Sequence, residues 1–258
     1  MEPLAPASRA IFATCLLLFI VVTVLNSIFR FAQRRPDTSK AGGSALLGPA
    51  IRAWHFENVR PFEDALVRWG ASPMWISWAQ MVVGIIVGFT YANGLIFDSG
   101  LLLILAGTLD IVDGRVARRT QSGSLRGAYL DSIIDRYTDT VAYLGIAVYY
   151  RDSWILWAAL WALVGGVVTS YARARAEGLG ATCHVGLLQR PERYVILGLG
   201  SLFSALLEQI FGHGTGLPNR LLVLIVVALA VLSNVTAVQR VVHVLRQLEG
   251  PAPPARND

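Results

Sequence analysis

Seven apolar stretches of roughly twenty residues recur along the chain, a length that crosses the hydrocarbon core of a bilayer. They cover residues 10–29, 74–92, 97–112, 129–150, 154–171, 194–211 and 221–244. The composition agrees. Of the 258 residues, 54% are hydrophobic and 15% charged, whereas soluble domains carry about 25% charged residues. A disordered chain, a collagen-like chain and a disulfide scaffold are excluded. The chain reads as an all-α, polytopic membrane protein.

Residues 10–29 follow Arg9 and precede Arg30, Arg34 and Arg35, the pattern of a retained anchor rather than a cleaved signal peptide. A polar linker, 38–49, comes next. Within 52–69, Phe62, Ala65, Leu66 and Trp69 share one helical face, with Glu63, Asp64 and Arg68 off it. This predicts an amphipathic helix on the membrane surface, with Pro61 in its first turn. The expected division is an anchor and linker (1–50), an interfacial helix (51–73), a six-helix membrane domain (74–248) and a disordered tail (249–258).

Charge sets the topology. With the N-terminus outside, the loops 30–73, 113–128 and 173–193 and the C-terminus face the cytoplasm and carry 18 of the 22 Lys and Arg. Arg9, Arg151 and Arg220 fall outside and Arg136 within a helix. Such asymmetry is the positive-inside pattern of an inner (plasma) membrane protein. The net charge of +5 then reflects topology and contact with anionic lipid, with no nucleic acid implied. Cys15 and Cys183 lack metal-ligand spacing and read as structural.

The stretch from Leu109 to Asp139 carries acidic residues where a membrane resists them, since a charge near a helix centre costs at least about 2.5–3.5 kcal/mol. Asp110 and Asp113 are spaced i, i+3. Asp131, Asp135 and Asp139 are spaced i, i+4, i+8. Each set shares a helical face, so two helices joined across 113–128 can point carboxylates at each other. Hard oxygen ligands suit Mg²⁺, Mn²⁺ or Ca²⁺, and a two-metal cluster suits phosphoryl or phosphatidyl transfer. The spacing also admits a cation pathway in a divalent-cation transporter, or a polar seam with Arg115, Arg118, Arg119 and Arg136 as counter-charges.

The order Asp110-x2-Asp113-Gly114-x2-Ala117-Arg118-x8-Gly127-x3-Asp131-x3-Asp135 resembles the signature of the CDP-alcohol phosphotransferases. A chance match of eight residues at fixed spacing is on the order of 10⁻⁹ per start. The resemblance implies a six-helix membrane enzyme, commonly a homodimer, with a surface helix before the core. The first span is an addition to that layout. It further implies a two-metal site, with Mg²⁺ the expected ion and Mn²⁺ a substitute, held by Asp110, Asp113, Asp131 and Asp135. Asp135 would be the general base. Gly114, Ala117 and Gly127 would leave room for cytidine, and Arg118 would pair with the donor's phosphates. Arg126 stands where the family commonly has an aromatic residue.

The segments 170–177 and 189–193, with Gln239 and Arg240, are similar to the bacterial phosphatidylinositol-phosphate synthases. That likeness implies a pocket for an acceptor phosphate lined by Arg173, Arg175, Arg193 and Arg240. Arg173 stands where some of those enzymes carry Lys. The expected reaction moves a phosphatidyl group from CDP-diacylglycerol to a phosphorylated polyol and releases CMP on the cytoplasmic side. Inositol phosphate is the first choice of acceptor. Glycerol 3-phosphate, or a CDP-polyol donor, is the alternative. Arg190 reads equally well as ordinary cytoplasmic charge or as a functional group. Asp139, outside the signature, is expected to support the site or to pair with Arg136 or Arg173. Gly84 and Gly88 are suited either to close helix packing or to a dimer seam.

Overall fold

The computed structural model describes residues 25, 27–29, 31–33, 48–212 and 217–249. Most of the expected first span, the linker up to residue 47 and the tail from 250 lie outside the described residues, as does Cys15. Among the described residues seven helices are complete, and there is no strand. They are α1 (Pro49–Arg68), α2 (Pro73–Ala92), α3 (Ile96–Arg119), α4 (Leu125–Tyr149), α5 (Ile155–Gly178), α6 (Arg190–Phe211) and α7 (Arg220–Leu248).

Local chemistry sets the helix ends. Proline stands in the first turn of α1, α2 and α6, where its missing N–H leaves no bond unmade. Ser124 Oγ accepts a hydrogen bond from the Gly127 backbone N–H at 3.0 Å and caps α4. Gln189 and Glu192 form a reciprocal capping box at the start of α6. Gly94, at φ +72°, terminates α2.

Helices α3 and α4 extend further toward each other than expected. The connection is residues 120–124 rather than 113–128. Val116 is fully buried beneath α1 and holds the end of α3 in helix. The turn itself uses Gln121 at φ +52°. Short connection and shared register leave the acidic faces of α3 and α4 adjacent.

Helices α2, α5, α6 and α7 are long and apolar enough to cross a membrane. Of the remaining three, α3 and α4 fall short because they carry the aspartates. The outer surface is apolar: Phe89, Trp157, Leu224 and Val238 are each more than 60% exposed. So extensive an apolar exterior belongs in lipid, and the chain is an integral membrane protein. Trp154, Trp157 and Trp161 are all exposed at the start of α5, as an aromatic belt requires.

The spans pack as two groups of three, α2–α4 and α5–α7, joined where α3 meets α6 and α4 meets α5. Gly84 and Gly88 lie against α4. A Cβ on Gly84 would stand 2.6 Å from Thr138 Cγ2, and one on Gly88 would strike Val141, including its carbonyl oxygen at 2.6 Å. The pair therefore serves close packing within the chain.

One expectation about α1 is corrected. It begins at Pro49, so Pro61 lies in its interior rather than in its first turn. An interior proline costs roughly 3 kcal/mol. Burial of Val59 against Leu109, Val112 and Val116 offsets that cost. Glu63, off the apolar face, is fully buried against α3, while Phe62 and Trp69 of that face stay exposed, turned from the protein. Ser27, from the helical residues before α1, donates to Asn58 at 2.8 Å and accepts from Trp54 Nε1 at 3.0 Å.

Gly88→Val is expected to destabilise the fold by about 1–3 kcal/mol, the usual cost of overpacking. Thermal unfolding of the detergent-solubilised protein checks it, with Gly123→Val, where a Cβ meets nothing, as the silent comparison.

Candidate active site

One end of the bundle collects the starts of α2, α4 and α6 and the ends of α3 and α5. Here Asp110, Asp131 and Asp135 each present a carboxylate oxygen within 4.8 Å of the others. Asp113 is nearly buried and turns toward α2, where it accepts a 2.5 Å hydrogen bond from Ser77 Oγ. Three of the four expected aspartates thus converge, and the fourth is held beside them by a hydroxyl.

Ser77 and Gln80 are site residues that sequence reasoning missed. Gln80, fully buried one turn along α2, donates from Nε2 to Asp135 Oδ1 at 3.0 Å. Their signal was present as two polar residues at i, i+3 within an apolar stretch, the spacing that puts them on one face. Asp131 Oδ1 is buried with no hydrogen-bond partner among the described residues. An unmatched carboxylate oxygen costs free energy unless a cation or donor meets it.

Arg190 reaches the cluster from the first residue of α6. Its Nη1 lies 2.5 Å from Asp135 Oδ2 and 3.1 Å from Asp110 Oδ1, and its Nε is 3.4 Å from Asp139 Oδ1. Nη2 donates to Tyr194 Oη at 3.1 Å, and the guanidinium sits 5.0 Å from that ring's centre. Asp139 pairs with neither Arg136 nor Arg173, as the sequence had suggested. It bridges Arg190 and Arg193, with Arg193 Nη2 3.7 Å from Asp139 Oδ2. Side-chain reach explains this: α6 packs on α3 and α7, and Arg190 and Arg193 extend from its first turn across to Asp139 on α4. Arg136 curls onto the Ser132 carbonyl of its own helix, and Arg173 pairs with Glu177 at 2.8 Å.

Gly114 and Gly127 border open space. A Cβ on Gly127 would meet only Ser124 Oγ within 4 Å, and one on Gly114 only the guanidinium of Arg118. Ala117 is partly buried and Arg118 exposed. Among the arginines expected at the acceptor pocket, Arg193 is 4% exposed, and its Nη1 and Nη2 have no hydrogen-bond partner among the described residues. Arg240 is buried and donates from Nε to the Val185 carbonyl at 2.9 Å and from Nη1 to the Thr169 carbonyl at 2.7 Å. It feels the positive charges of both Arg173 and Arg193. Arg173 and Arg175 are exposed near the end of α5.

A second ionic group fixes the outer wall. Arg115 Nε donates to Glu63 Oε2 at 2.6 Å, and Arg119 Nη1 to Glu63 Oε1 at 2.9 Å and Asp64 Oδ1 at 2.7 Å. Arg115 also lies 4.7 Å from the centre of the Phe56 ring. Burial alone would raise the Glu63 pKa, but the hydrogen bonds and charges of the two arginines hold it below the ordinary carboxylate range. The surface helix is thereby bolted to the part of α3 that carries Gly114, Ala117 and Arg118.

Fold and site define a polytopic membrane protein whose acidic cluster, at one end of the bundle, has the oxygen donors that a hard divalent ion takes. Residues 71–245 match the family model for CDP-alcohol phosphatidyltransferase, and the chain belongs to that family. A phosphatidylinositol phosphate synthase of Streptomyces avermitilis is 36% identical over 226 residues, covering 84% of this chain and 89% of its own length. An archaetidylinositol phosphate synthase of Methanothermobacter thermautotrophicus is 33% identical over 192 residues, covering 74% of this chain and 92% of its own. Among solved structures, phosphatidylinositol phosphate synthase of Mycobacterium tuberculosis with CDP-DAG bound is similar at 28% identity. Its TM-score is 0.63, covering 77% of this chain and 96% of that one. The same enzyme in complex with manganese and citrate gives a TM-score of 0.62 at 28% identity, with 77% of this chain and 91% of that one covered.

Glu63→Gln is expected to cost about 2 kcal/mol by weakening two charged hydrogen bonds to a buried group. The native clamp should hold above pH 4.5, the group's ordinary value, and be lost only as pH falls through its depressed folded-state pKa. Melting temperatures of the native protein and Glu63→Gln between pH 7 and pH 3 should therefore differ most at neutral pH and converge in acid.

Proposed function

We propose that this enzyme transfers the phosphatidyl group of CDP-diacylglycerol to a hydroxyl of inositol phosphate and releases CMP. The acceptor's hydroxyl oxygen bonds to the phosphorus distal to cytidine, the bond from that phosphorus to the bridging oxygen breaks, and CMP leaves with that oxygen. The hydroxyl proton passes to the Asp135 carboxylate, oriented by Gln80. Relatives that are phosphatidylinositol phosphate synthases support the substrate pair.

The observation that carries the acceptor half is Arg193, buried with both terminal nitrogens lacking a hydrogen-bond partner among the described residues and only a 3.7 Å ion pair to Asp139. Arg240 feels the positive charges of Arg173 and Arg193 as well as the negative charge of Glu177, and an incoming phosphate would add counter-charge and acceptors there. Arg175 completes the assignment from the exposed end of α5. The open space at Gly114 and Gly127, with Ala117 and Arg118, supports seating of the cytidine diphosphate there.

The donor set fits hard divalent cations, because it is all oxygen, converges within 4.8 Å and leaves one buried carboxylate oxygen unmatched. Asp110, Asp113, Asp131 and Asp135 would hold them, with Mg²⁺ the expected ion. The manganese complex of the Mycobacterium tuberculosis enzyme supports a divalent ion. Such ions would neutralise the pyrophosphate and the leaving CMP. We place the site on the cytoplasmic face of the inner membrane, with the N-terminus outside, on the distribution of Lys and Arg. In this arrangement residues 1–50 are anchor and linker, 51–73 the interfacial helix, 74–248 the catalytic domain and 249–258 a tail. The enzyme is assigned as a homodimer.

The test is CMP release by the purified protein in lipid nanodiscs with Mg²⁺ and CDP-diacylglycerol. Inositol phosphate, glycerol 3-phosphate, serine and no acceptor are offered in parallel. Release should require inositol phosphate, and release with glycerol 3-phosphate alone would reassign the acceptor. Asp135→Asn should lower kcat by about 10³-fold, within the range for loss of a general base. Arg193→Gln should raise KM for inositol phosphate by about tenfold or more, the worth of a charged hydrogen bond, with KM for CDP-diacylglycerol little changed.

A further inference from the structure

Arg190 is the side chain whose placement the proposed reaction does not use. Its Nη1 stands 2.5 Å from an Asp135 oxygen and 3.1 Å from an Asp110 oxygen. These are two of the three carboxylates that converge within 4.8 Å. A divalent ion shared by those carboxylates would sit about 2.0–2.6 Å from their oxygens. A nitrogen already at 2.5 Å and 3.1 Å fills that space, so the guanidinium and the ion exclude each other.

The rest of the Arg190 side chain is held independently of those two carboxylates. Nε faces Asp139 Oδ1 at 3.4 Å, Nη2 donates to Tyr194 Oη at 3.1 Å and to the Asp135 backbone carbonyl at 3.4 Å, and the ring of Tyr194 lies beneath. These partners are not among the proposed metal ligands, the carbonyl of Asp135 being distinct from its carboxylate. They leave the guanidinium a set of contacts to keep when Nη1 gives way.

We propose that Arg190 is a displaceable internal counter-cation. It neutralises Asp110 and Asp135 in the metal-free enzyme and yields them to the divalent ion on loading. The inference rests on the metal reading given under Proposed function. Mutual exclusion has a thermodynamic consequence: the ion binds only the fraction of molecules in which the latch is open, and its apparent affinity falls by that fraction. Without the latch the carboxylates repel each other in the empty site, so the latch stabilises the fold before metal arrives.

The experiment titrates MnCl₂ into the purified full-length protein in nanodiscs, without substrates, and follows binding by calorimetry and by the Mn²⁺ paramagnetic resonance signal. Arg190→Gln should bind Mn²⁺ about tenfold more tightly than the native protein, corresponding to a latch closed in about nine molecules of ten. Arg190→Lys, which keeps the charge and loses the fork, should fall between the two. Arg190→Gln should also lower the melting temperature more in chelator than in saturating Mn²⁺. Should the variants fold poorly without metal, they are purified in Mn²⁺ and then chelated. Arg136→Gln removes a charge that acts on Asp131 through space but forms no ion pair with the cluster among the described residues, and should leave Mn²⁺ affinity within about twofold. Equal or weaker Mn²⁺ binding by folded Arg190→Gln overturns the latch while leaving the metal site standing. Equal tightening by Arg136→Gln overturns it too, because a general field effect would then suffice. Absence of Mn²⁺ binding by the native protein and every variant overturns the metal reading and the latch together.

Discussion

Carboxylates gathered at the end of apolar helices must be met by charge or by donors, because lipid and protein interior offer no water to do it. Asp110, Asp131 and Asp135 converge where α3 ends and α4 begins, and the neighbouring elements are arranged around that demand. Helix α2 contributes Ser77 and Gln80, and α6 contributes Arg190 from its first turn. The short α3–α4 connection keeps the two acidic faces in register. In an ordinary soluble core such a cluster would be a liability. In the proposed reaction it is the chemical centre of the transferase.

Close packing makes the arrangement possible. Glycines at 84 and 88 let α2 lie directly on α4, which brings Gln80 within hydrogen-bond reach of Asp135. Helix α1 is fastened to α3 by Glu63, Arg115 and Arg119, so the segment bearing Gly114 and Arg118 is held from outside as well as within the bundle. Large apolar side chains are left facing lipid, and the polar groups are spent on the interior and on one end. Function and stability therefore draw on the same helices but on different faces of them.

A chain of charges links the two proposed substrate regions. Asp139 touches Arg190, which lies among the carboxylates, and Arg193, whose terminal nitrogens lack a hydrogen-bond partner among the described residues. Arg240 is tied to the carbonyls of Val185 and Thr169, so it shapes the floor of the arginine group as well as adding charge.

Much of this protein is legible in its sequence. Apolar runs of bilayer length state the membrane class, and the spacing of Asp110, Asp113, Asp131 and Asp135 with Gly114, Ala117, Arg118 and Gly127 states the family, because local periodicity fixes which residues share a face. The relation between faces is not local. Arg190 lies 55 residues beyond Asp135 in the chain, and nothing in its own neighbourhood says that its side chain reaches from α6 to the carboxylates of α3 and α4. For the same reason Asp139 could not be matched to Arg190 and Arg193, nor Glu63 to Arg115 and Arg119, nor Gln80 to Asp135. Pro61 reads as a helix start by itself, but burial on both sides of it, of Val59 and Glu63, outweighs the cost of a proline inside a helix. Composition and periodicity determined the class, the helices and the acidic motif. Tertiary packing alone decided which positive charge answers which aspartate, since a salt bridge depends on distances that only the assembled bundle sets.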